Sequence, residues 1–487
     1  MVNTPVAAIL FGEPDDVIAI ANLFPPRPRL HCSDPPMSIL QRLEDRIVGE
    51  LTEHERTTFR CSAVWFFLVL FGYYILRPIR EQISTEYGIN NLAWLFRATF
   101  VTMLVAIPTY SLLVSKFHRK KLVPCIYAFF CVMLVGFWAA MSFVPATAML
   151  GETPALEWVA RVLFIWISVY GLFIVSFFWS VVGDMLAPDQ GRRLYGIIAG
   201  GGTAGGLIAS LVATFMVDQL GQENLLLIPV VLLLIGLAVY FRLEHAWEKH
   251  QDSGIELASM RTGKPTGGNP FAGFSAVFQS RYLFAICIYG FFLATCGTTI
   301  YFQQSEIVDA ALDSREDKTK YFAMINFCVQ VLTLVLQTAV VGRLMRRFGL
   351  GITLAVLPIA YICGIASLAL APSLLVLAVI SVTGRSAEYA IANPAREVLF
   401  TAVRREDRYK AKSFIDTIVR RGGDSVIGGI YRSMRDSWGL AMTTLSWCMI
   451  PIAVVWVGLA WFIGDENKRV VKELTASAEN DLEEADA

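Results

Sequence analysis

Apolar segments of about 20 residues recur along the chain and are separated by short polar connections. A helix needs about 20 apolar residues to cross the hydrocarbon layer, where it satisfies its own backbone hydrogen bonds. The pattern predicts about twelve transmembrane helices, with cores at residues 61–79, 92–114, 122–144, 158–183, 195–217, 224–242, 275–300, 321–342, 351–371, 373–395, 412–433 and 441–463. The segment 412–433 is the weakest of them, because it contains Asp416, Arg420, Arg421 and Asp424. We include it because the internal repeat described next requires it.

A polar connector at residues 243–274 separates two similar halves, 60–242 and 275–463. Basic sequences recur at matching places in the two halves: SKFHRKK from residue 115 matches GRLMRRFG from residue 342, and DQGRRLYG from 189 matches EDRYKAKS from 406. Two parallel six-helix repeats are the arrangement of major-facilitator-like transporters, which bind their solute between the halves near the membrane midplane. We therefore predict an all-α, major-facilitator-like membrane protein. An inverted repeat of five plus five helices is the alternative.

Both ends of the chain are polar. The turn-rich residues 1–36 lack the features of a cleavable signal, and we expect them to form a disordered cytoplasmic tail. Residues 37–59 have apolar positions at helical spacing and predict an amphipathic helix, lying on the inner membrane face or against the cytoplasmic loops. A true start at Met37 would also explain the first segment. We expect residues 464–487 to form an acidic cytoplasmic tail.

The basic residues of the loops are distributed unevenly. Loops at 145–157, 218–223 and 371–374 contain no lysine or arginine, whereas residues 301–320 contain three among acidic neighbours. The short loops after even-numbered helices are basic, with Lys116, Arg119, Lys120, Lys121, Arg192, Arg193, Arg343, Arg346, Arg347, Arg404, Arg405, Arg408 and Lys410. Because lysine and arginine accumulate in cytoplasmic loops, this pattern predicts that both termini are cytoplasmic.

The composition, with 55% hydrophobic and 17% charged residues, differs from that of a soluble domain, which has roughly 25% charged residues. A soluble enzyme is thereby excluded, and we predict no enzymatic activity. The formal net charge of +0 gives no sign of a nucleic-acid partner. The nine cysteines have no metal-type spacing, and the five histidines lie outside the apolar segments. We therefore expect no metal and no cofactor.

Charged residues inside the membrane are costly, so they are candidates for function. The first such group lies near the end of the first segment, where Tyr73, Arg77 and Arg80 share one helical face and Pro78 predicts a kink. Guanidinium groups match the oxygens of carboxylate and phosphate, which favours an anion site. The alternative is that both arginines extend to the outer membrane interface.

A second charged group lies in the tenth and eleventh segments and comprises Arg385, Glu388, Asn393, Arg396, Glu397, Asp416, Arg420, Arg421 and Asp424. Arg385 with Glu388, and Asp416 with Arg420, have the spacing of ion pairs within one helix. Mutual neutralisation is therefore the alternative to solute binding. Because acidic and basic residues nearly balance, their number alone does not establish an anionic solute.

The glycine-rich sequence at 196–210 fits GxGxxG formally but opens a membrane segment rather than a βαβ unit, so it does not predict a dinucleotide site. Small residues four positions apart, such as Gly202 and Gly206, instead predict that the fifth helix packs closely against a neighbour.

Five sequences resemble the ATP/ADP antiporter family of plastids and intracellular bacteria, and in particular its free-living bacterial relatives. They are LRPIREQ (76–82), FFWSVVGDML (177–186), GRRLYGIIAGGGTAGG (191–206), YFQQSEIVDA (301–310) and RYKAKSFIDTIVRRGGD (408–424). The resemblance spans residues 60–465. It implies a major-facilitator-like fold, a bacterial inner membrane and exchange of nucleotides such as ATP and ADP. By motif position it implies roles for Arg77, Arg80, Glu81, Lys412, Asp416 and Gly423.

The chain also departs from the pattern of that family. Arg80 stands where characterised exchangers have a lysine, and Ile167 stands where their fourth helix has an acidic residue. The lysine before the glycine pair of their eleventh helix has no clear counterpart. Glu306 matches their acidic residue after helix seven.

Three classes of function follow: exchange of an organic anion such as a nucleotide, proton-coupled transport of another solute, and a receptor or scaffold that transports nothing. We expect a monomer in membrane lipid with a small-molecule solute. Arg77 and Arg80 should face the central cavity opposite Gln303, Gln304 and Glu306. The candidate coupling residues are Asp184, Glu388 and Asp416. The candidate solute-binding residues are Tyr73, Arg77, Arg80, Glu81, Glu306, Arg385, Glu388, Arg396, Lys412, Asp416, Arg420 and Arg421.

Overall fold

The computed structural model describes residues 53–86, 88–142, 154–186, 188–251, 277–403, 411–412 and 414–486, which contain helices and no strand. In chain order the helices are α1 (Glu53–Glu86), α2 (Gly88–Lys116), α3 (Arg119–Ser142), α4 (Pro154–Met185), α5 (Pro188–Leu225), α6 (Leu227–Gln251), α7 (Arg281–Ala311), α8 (Arg315–Leu336), α9 (Gly342–Leu370), α10 (Leu374–Thr401), α11 (Arg420–Asp436) and α12 (Met442–Asp486).

Ten helical stretches of the described residues are long and apolar enough to cross a membrane. One of them, Arg315–Leu370, contains two predicted segments. Gly349, with a φ of 75°, interrupts the helix between them, and glycine adopts this conformation at little steric cost. The eleventh predicted segment is too polar to be among the ten, yet it is helical as α11. The described residues therefore form the predicted all-α membrane architecture.

The helices extend beyond several predicted boundaries. The first helix begins at Glu53, so the end of the predicted amphipathic helix is continuous with α1. The sixth helix continues to Gln251, inside the predicted connector, and α12 continues to Asp486 through the predicted acidic tail. The predictions for residues 1–52 and for the rest of the connector, 252–274, lie outside the described residues.

Close packing of α5 against α1 organises the first half. A Cβ atom added at Gly201 would lie 2.9 Å from the Ala63 carbonyl oxygen, and one at Gly205 would overlap the Phe67 carbonyl oxygen. The faces of Gly202 and Gly206 are likewise occupied by neighbouring side chains, including the Phe66 ring and Gln330. The prediction that these glycines permit a close helix approach is confirmed.

The two halves contact each other along α5 and α8, α2 and α11, and α1 with α7 and α8. Polar contacts between the halves concentrate at one end, which we call the closed end. There the Ser305 hydroxyl donates to the Ser84 carbonyl oxygen at 2.8 Å. Ion pairs at the closed end join Arg315 Nε to Glu86 Oε1 at 3.2 Å and Lys320 Nζ to Asp218 Oδ2 at 2.6 Å.

Candidate functional site

A central cavity of about 730 Å³ lies between the two halves. Its wall is formed by α1, α2 and α4 of the first half and by α7, α9, α10 and the α11 region of the second. The volume is in the range of roughly 300–1,000 Å³ that is typical of small-molecule sites. A solute in this cavity would contact both halves at once.

Helix α1 places Tyr73, Arg77 and Arg80 on the cavity wall. The helical repeat brings these positions to one face, and Pro78 lies between the two arginines. Arg77 Nε lies 3.3 Å from Glu81 Oε1, and its NH2 group donates to the Tyr389 hydroxyl at 3.1 Å. Arg77 therefore links α1 to α10 of the opposite half.

Arg80 has neutral partners. Its Nε donates to the Ser168 hydroxyl at 2.7 Å, and its NH1 group donates to the Tyr301 hydroxyl at 3.3 Å. The guanidinium carbon lies 4.2 Å from the centre of the Phe164 ring, where a cation is attracted to the aromatic face. Among the described residues Arg80 forms no ion pair with a carboxylate. Its charge is therefore held in place by neutral partners, and Glu81 acts on it only from beyond ion-pair distance.

Glu81 connects three helices at the centre of the molecule. Its side chain is buried, and Oε2 accepts from the Arg385 NH2 group of α10 at 3.1 Å and from the Gln304 amide of α7 at 3.1 Å. With Arg77 on its other oxygen, Glu81 lies between guanidinium groups from the two halves. Such charge-assisted bonds are stronger than bonds between neutral groups.

Three further ion pairs lie around α10 and α11. Arg420 contacts Glu388 Oε1 at 2.7 Å, Arg396 contacts Asp416 Oδ1 at 2.8 Å, and Arg421 lies 3.9 Å from Asp424. Asp424 also accepts a hydrogen bond from Thr298 at 2.9 Å. All of these residues line the cavity except Arg396 and Thr298.

These pairings correct the sequence prediction that Arg385 pairs with Glu388 and Asp416 with Arg420. Arg385 is bound to Glu81 instead, and Arg420 to Glu388. The physical reason is the docking of neighbouring helices. Glu81 on α1 reaches Arg385, and Glu388 on α10 reaches Arg420, so carboxylates of other helices take the place of the expected partners. Two π-helical turns, Glu388–Ala392 and Ile415–Val419, lie at these positions.

Several predicted site residues lie elsewhere. Glu306 is bound by Arg435 and by the Tyr431 hydroxyl, and Gln303 donates to the Ser446 hydroxyl at 2.9 Å. Of the three residues expected opposite the arginines, only Gln304 lines the cavity.

Three other candidates also lie off the cavity wall. Lys412 pairs with Glu397 on an exposed surface, Arg396 lies behind the wall, and Asp184 is exposed near the end of α4. Ile167, at the position where the resembling family has an acid, is buried in apolar packing.

The sequence arguments missed the hydroxyl and aromatic groups of the cavity. Tyr301, Tyr389, Tyr361, Tyr110 and Ser168 all line it. Tyr301 could have been found, because it precedes Gln304 by three residues and so shares its helical face. Tyr389 directly follows Glu388 and could have been found by this position, whereas Tyr361, Tyr110 and Ser168 come from apolar stretches without a distinguishing pattern. In the part of the chain that the structure describes, no cluster of histidine, cysteine, aspartate and glutamate could hold a metal ion.

Comparisons with known proteins show which family model and which solved structures this chain is similar to. The sequence profile of the Major Facilitator Superfamily matches residues 63–402, more than half of the chain. A bacterial homologue of the iron transporter ferroportin, in an inward-facing state, is 15% identical with a TM-score of 0.53, covering 87% of this chain and 100% of its own. A bacterial homologue of the human lysosomal transporter Spinster, inward-facing and unoccupied, is 14% identical with a TM-score of 0.51, covering 86% and 99%.

The nucleoside transporter NupG aligns over 86% of this chain and 100% of its own, at 12% identity and a TM-score of 0.48. No curated protein matches the sequence. The solved structures share the fold at low identity, whereas the profile match covers most of both halves. The chain therefore belongs to the Major Facilitator Superfamily and is a multi-pass membrane transporter.

Proposed function

We propose that the protein is a secondary transporter that exchanges organic anions, such as nucleotides, by alternating access. Arg80 carries this proposal. It lies on the cavity wall with hydroxyl and aromatic partners, and among the described residues no carboxylate lies within ion-pair distance of it. A partly buried cation without a directly contacting counter-ion is costly inside the membrane, and an anionic solute lowers that cost. Guanidinium also binds carboxylate and phosphate oxygens in a two-pronged geometry.

The arrangement of the halves supports alternating access. The closed end joins the halves through Glu86 and Arg315, whereas α4 makes no extended contact with the second half among the described residues. With both termini in the cytoplasm of a bacterial cell, as the loop charges predict, the cavity would open towards the cytoplasm and the closed end would face outwards. A solute held between the halves would be exposed to one side at a time.

Counterflow in proteoliposomes tests the proposal. Labelled AMP, ADP or ATP is added outside vesicles that contain the purified protein and are loaded with the same nucleotide or left empty. Uptake that depends on internal nucleotide supports exchange. Uptake that requires a pH gradient and does not depend on internal nucleotide contradicts exchange and favours proton coupling. Absence of flux for nucleotides and for a panel of other organic anions contradicts anion transport.

A further inference from the structure

We infer that the anion recognised in the central cavity carries two negative charges close together, as a phosphate monoester or a short dicarboxylate does. The inference rests on the proposed anion transport and adds the charge of the solute to it. The count and the positions of the charged groups around the cavity lead to this conclusion.

The charges around the cavity do not balance. The wall contains five arginines and four carboxylates, namely Arg77, Arg80, Arg385, Arg420, Arg421, Glu81, Glu388, Asp416 and Asp424. Asp416 is paired with a sixth arginine, Arg396, behind the wall. Arginine stays protonated in proteins. The count takes the four carboxylates, each of which lies beside a guanidinium group, as ionised. Six arginines against four carboxylates leave a surplus of two positive charges.

The surplus is located around Glu81. The pairs formed by Glu388, Asp416 and Asp424 with their arginines are each neutral. One surplus charge belongs to the group in which Glu81 is shared by Arg77 and Arg385. The other belongs to Arg80, which has no carboxylate partner among the described residues.

The two surplus charges lie close together. Arg77 and Arg385 both contact the Glu81 carboxylate, and Arg80 also acts on it electrostatically, so three guanidinium groups surround a single carboxylate. This arrangement fits one doubly charged group or two neighbouring carboxylates. It fits a long molecule with charges at its two ends poorly.

A dianion would leave the loaded cavity neutral, whereas a monoanion would leave one positive charge uncompensated inside the membrane. A phosphate monoester carries about −1.5 to −2 charges at pH 7. Among nucleotides, the count therefore favours a monophosphate. A diphosphate or triphosphate would bring further negative charges into a cavity whose surplus positive charges are already compensated.

Matched probes that differ by one charge test the inference. Binding to the purified full-length protein is measured calorimetrically at pH 8 for phenyl phosphate and methyl phenyl phosphate, and for succinate and monomethyl succinate. At least one dianion should bind about tenfold or more tightly than its monoanionic ester, the ratio expected for one hydrogen bond to a charged group. Preference within the phosphate pair alone indicates a phosphate monoester, and preference within the succinate pair alone indicates a dicarboxylate.

Variants at Arg80 separate charge from structure. Arg80→Gln should lower the ratio of the two affinities towards one, because one surplus charge is lost, whereas Arg80→Lys should retain it. A purely structural defect would weaken the dianion and the monoanion equally. Arg469→Gln, at an exposed ion pair with Glu473 on α12, should leave the ratio unchanged.

The outcomes distinguish the inference from the proposed function. Equal affinity of the unmodified protein for the dianions and monoanions would contradict the inference and leave anion transport in place. Failure of the folded protein to bind any of the four probes would also contradict the inference, whereas the proposed function is decided separately by the nucleotide counterflow experiment.

Discussion

Arg80 is the residue on which solute binding should depend most, because its charge has no carboxylate partner in the described part of the cavity. We predict that Arg80→Ala weakens binding of the transported anion by about 1.5 to 3 kcal/mol, the range for a hydrogen bond to a charged group. Equilibrium binding to purified protein measures the effect. Arg469→Ala, at an exposed ion pair on α12, is the matched control and should bind normally.

Arg77 should contribute less than Arg80, since Glu81 already neutralises part of its charge. If Arg77→Ala and Arg80→Ala both bind and transport the anion as the unmodified protein does, the α1 arginines are not the anion site. The fold and the family would be unaffected by that result.

Glu81 is expected to act mainly on stability. Its buried carboxylate is shared by Arg77 and Arg385, so Glu81→Gln leaves two guanidinium groups partly buried without a counter-ion. We predict a loss of about 3 kcal/mol in unfolding free energy, the lower end of the range for breaking a buried ion pair. Thermal unfolding in detergent provides the comparison.

The control for Glu81 is Glu397→Gln, which removes one partner of the exposed pair with Lys412 and should cost at most about 1 kcal/mol. Equal melting temperatures for the two variants would show that the Glu81 group does not stabilise the contact between the halves.

The positions of the arginines were predictable from the sequence, but their partners were not. Tyr73, Arg77 and Arg80 share a face by helical repeat alone. The bond between Glu81 and Arg385, however, joins residues 304 positions apart. It depends on how the two halves dock, which no local pattern specifies. Glu306 was expected in the cavity because it lies two residues after Gln304 in the polar part of α7. It is instead bound by Arg435 of α11.

At the scale of helices, the approach of α5 to α1 requires glycine at Gly205. An added Cβ there would overlap the Phe67 carbonyl oxygen. This oxygen belongs to a helical backbone, so moving it would disturb the helix. We predict that Gly205→Ala destabilises the protein by about 1 to 3 kcal/mol, the usual cost of overpacking. Melting temperature and the yield of monodisperse protein are suitable measurements.

Gly200 provides the control on the same helix, since an added Cβ at this position meets nothing within 4 Å. Gly200→Ala should be neutral or slightly stabilising, because alanine is the better helix former. Equal melting temperatures for Gly205→Ala and Gly200→Ala would contradict the close approach of α5 to α1.

Helix α11 shows how far hydropathy can predict a membrane helix. Its polar residues exclude it from the ten apolar helices, and the internal repeat was needed to predict it. The π-helical turns before α11 and within α10 could not be predicted. One extra residue in a single turn does not alter the spacing of apolar and polar residues enough to be recognised in the sequence. The errors in the predicted ion pairs have a different cause, because the partners of Arg385 and Arg420 lie on other helices.

At the scale of the whole molecule, the closed end should separate during transport. Ser84 and Ser305 lie on opposite halves and are joined by a hydrogen bond of 2.8 Å. We predict that cysteines introduced at both positions, in a chain whose native cysteines are replaced, react with a short thiol cross-linker. The linked protein should lose exchange activity, because the halves can no longer open at that end.

Reduction of a cleavable cross-linker should restore exchange, and each single-cysteine variant should be unaffected by the reagent. Efficient cross-linking without loss of exchange would mean that the closed end does not open during the transport cycle.

An experimental structure of the purified protein with a transported organic anion tests the central claim most directly. The claim predicts density for the solute between the two halves, with its anionic group about 2.7–3.2 Å from the Arg80 guanidinium nitrogens, the distance of a hydrogen bond. The opposite side of the solute should contact α10 or α11. An anionic group bound away from Arg80, or a solute bound outside the central cavity, would contradict the claim.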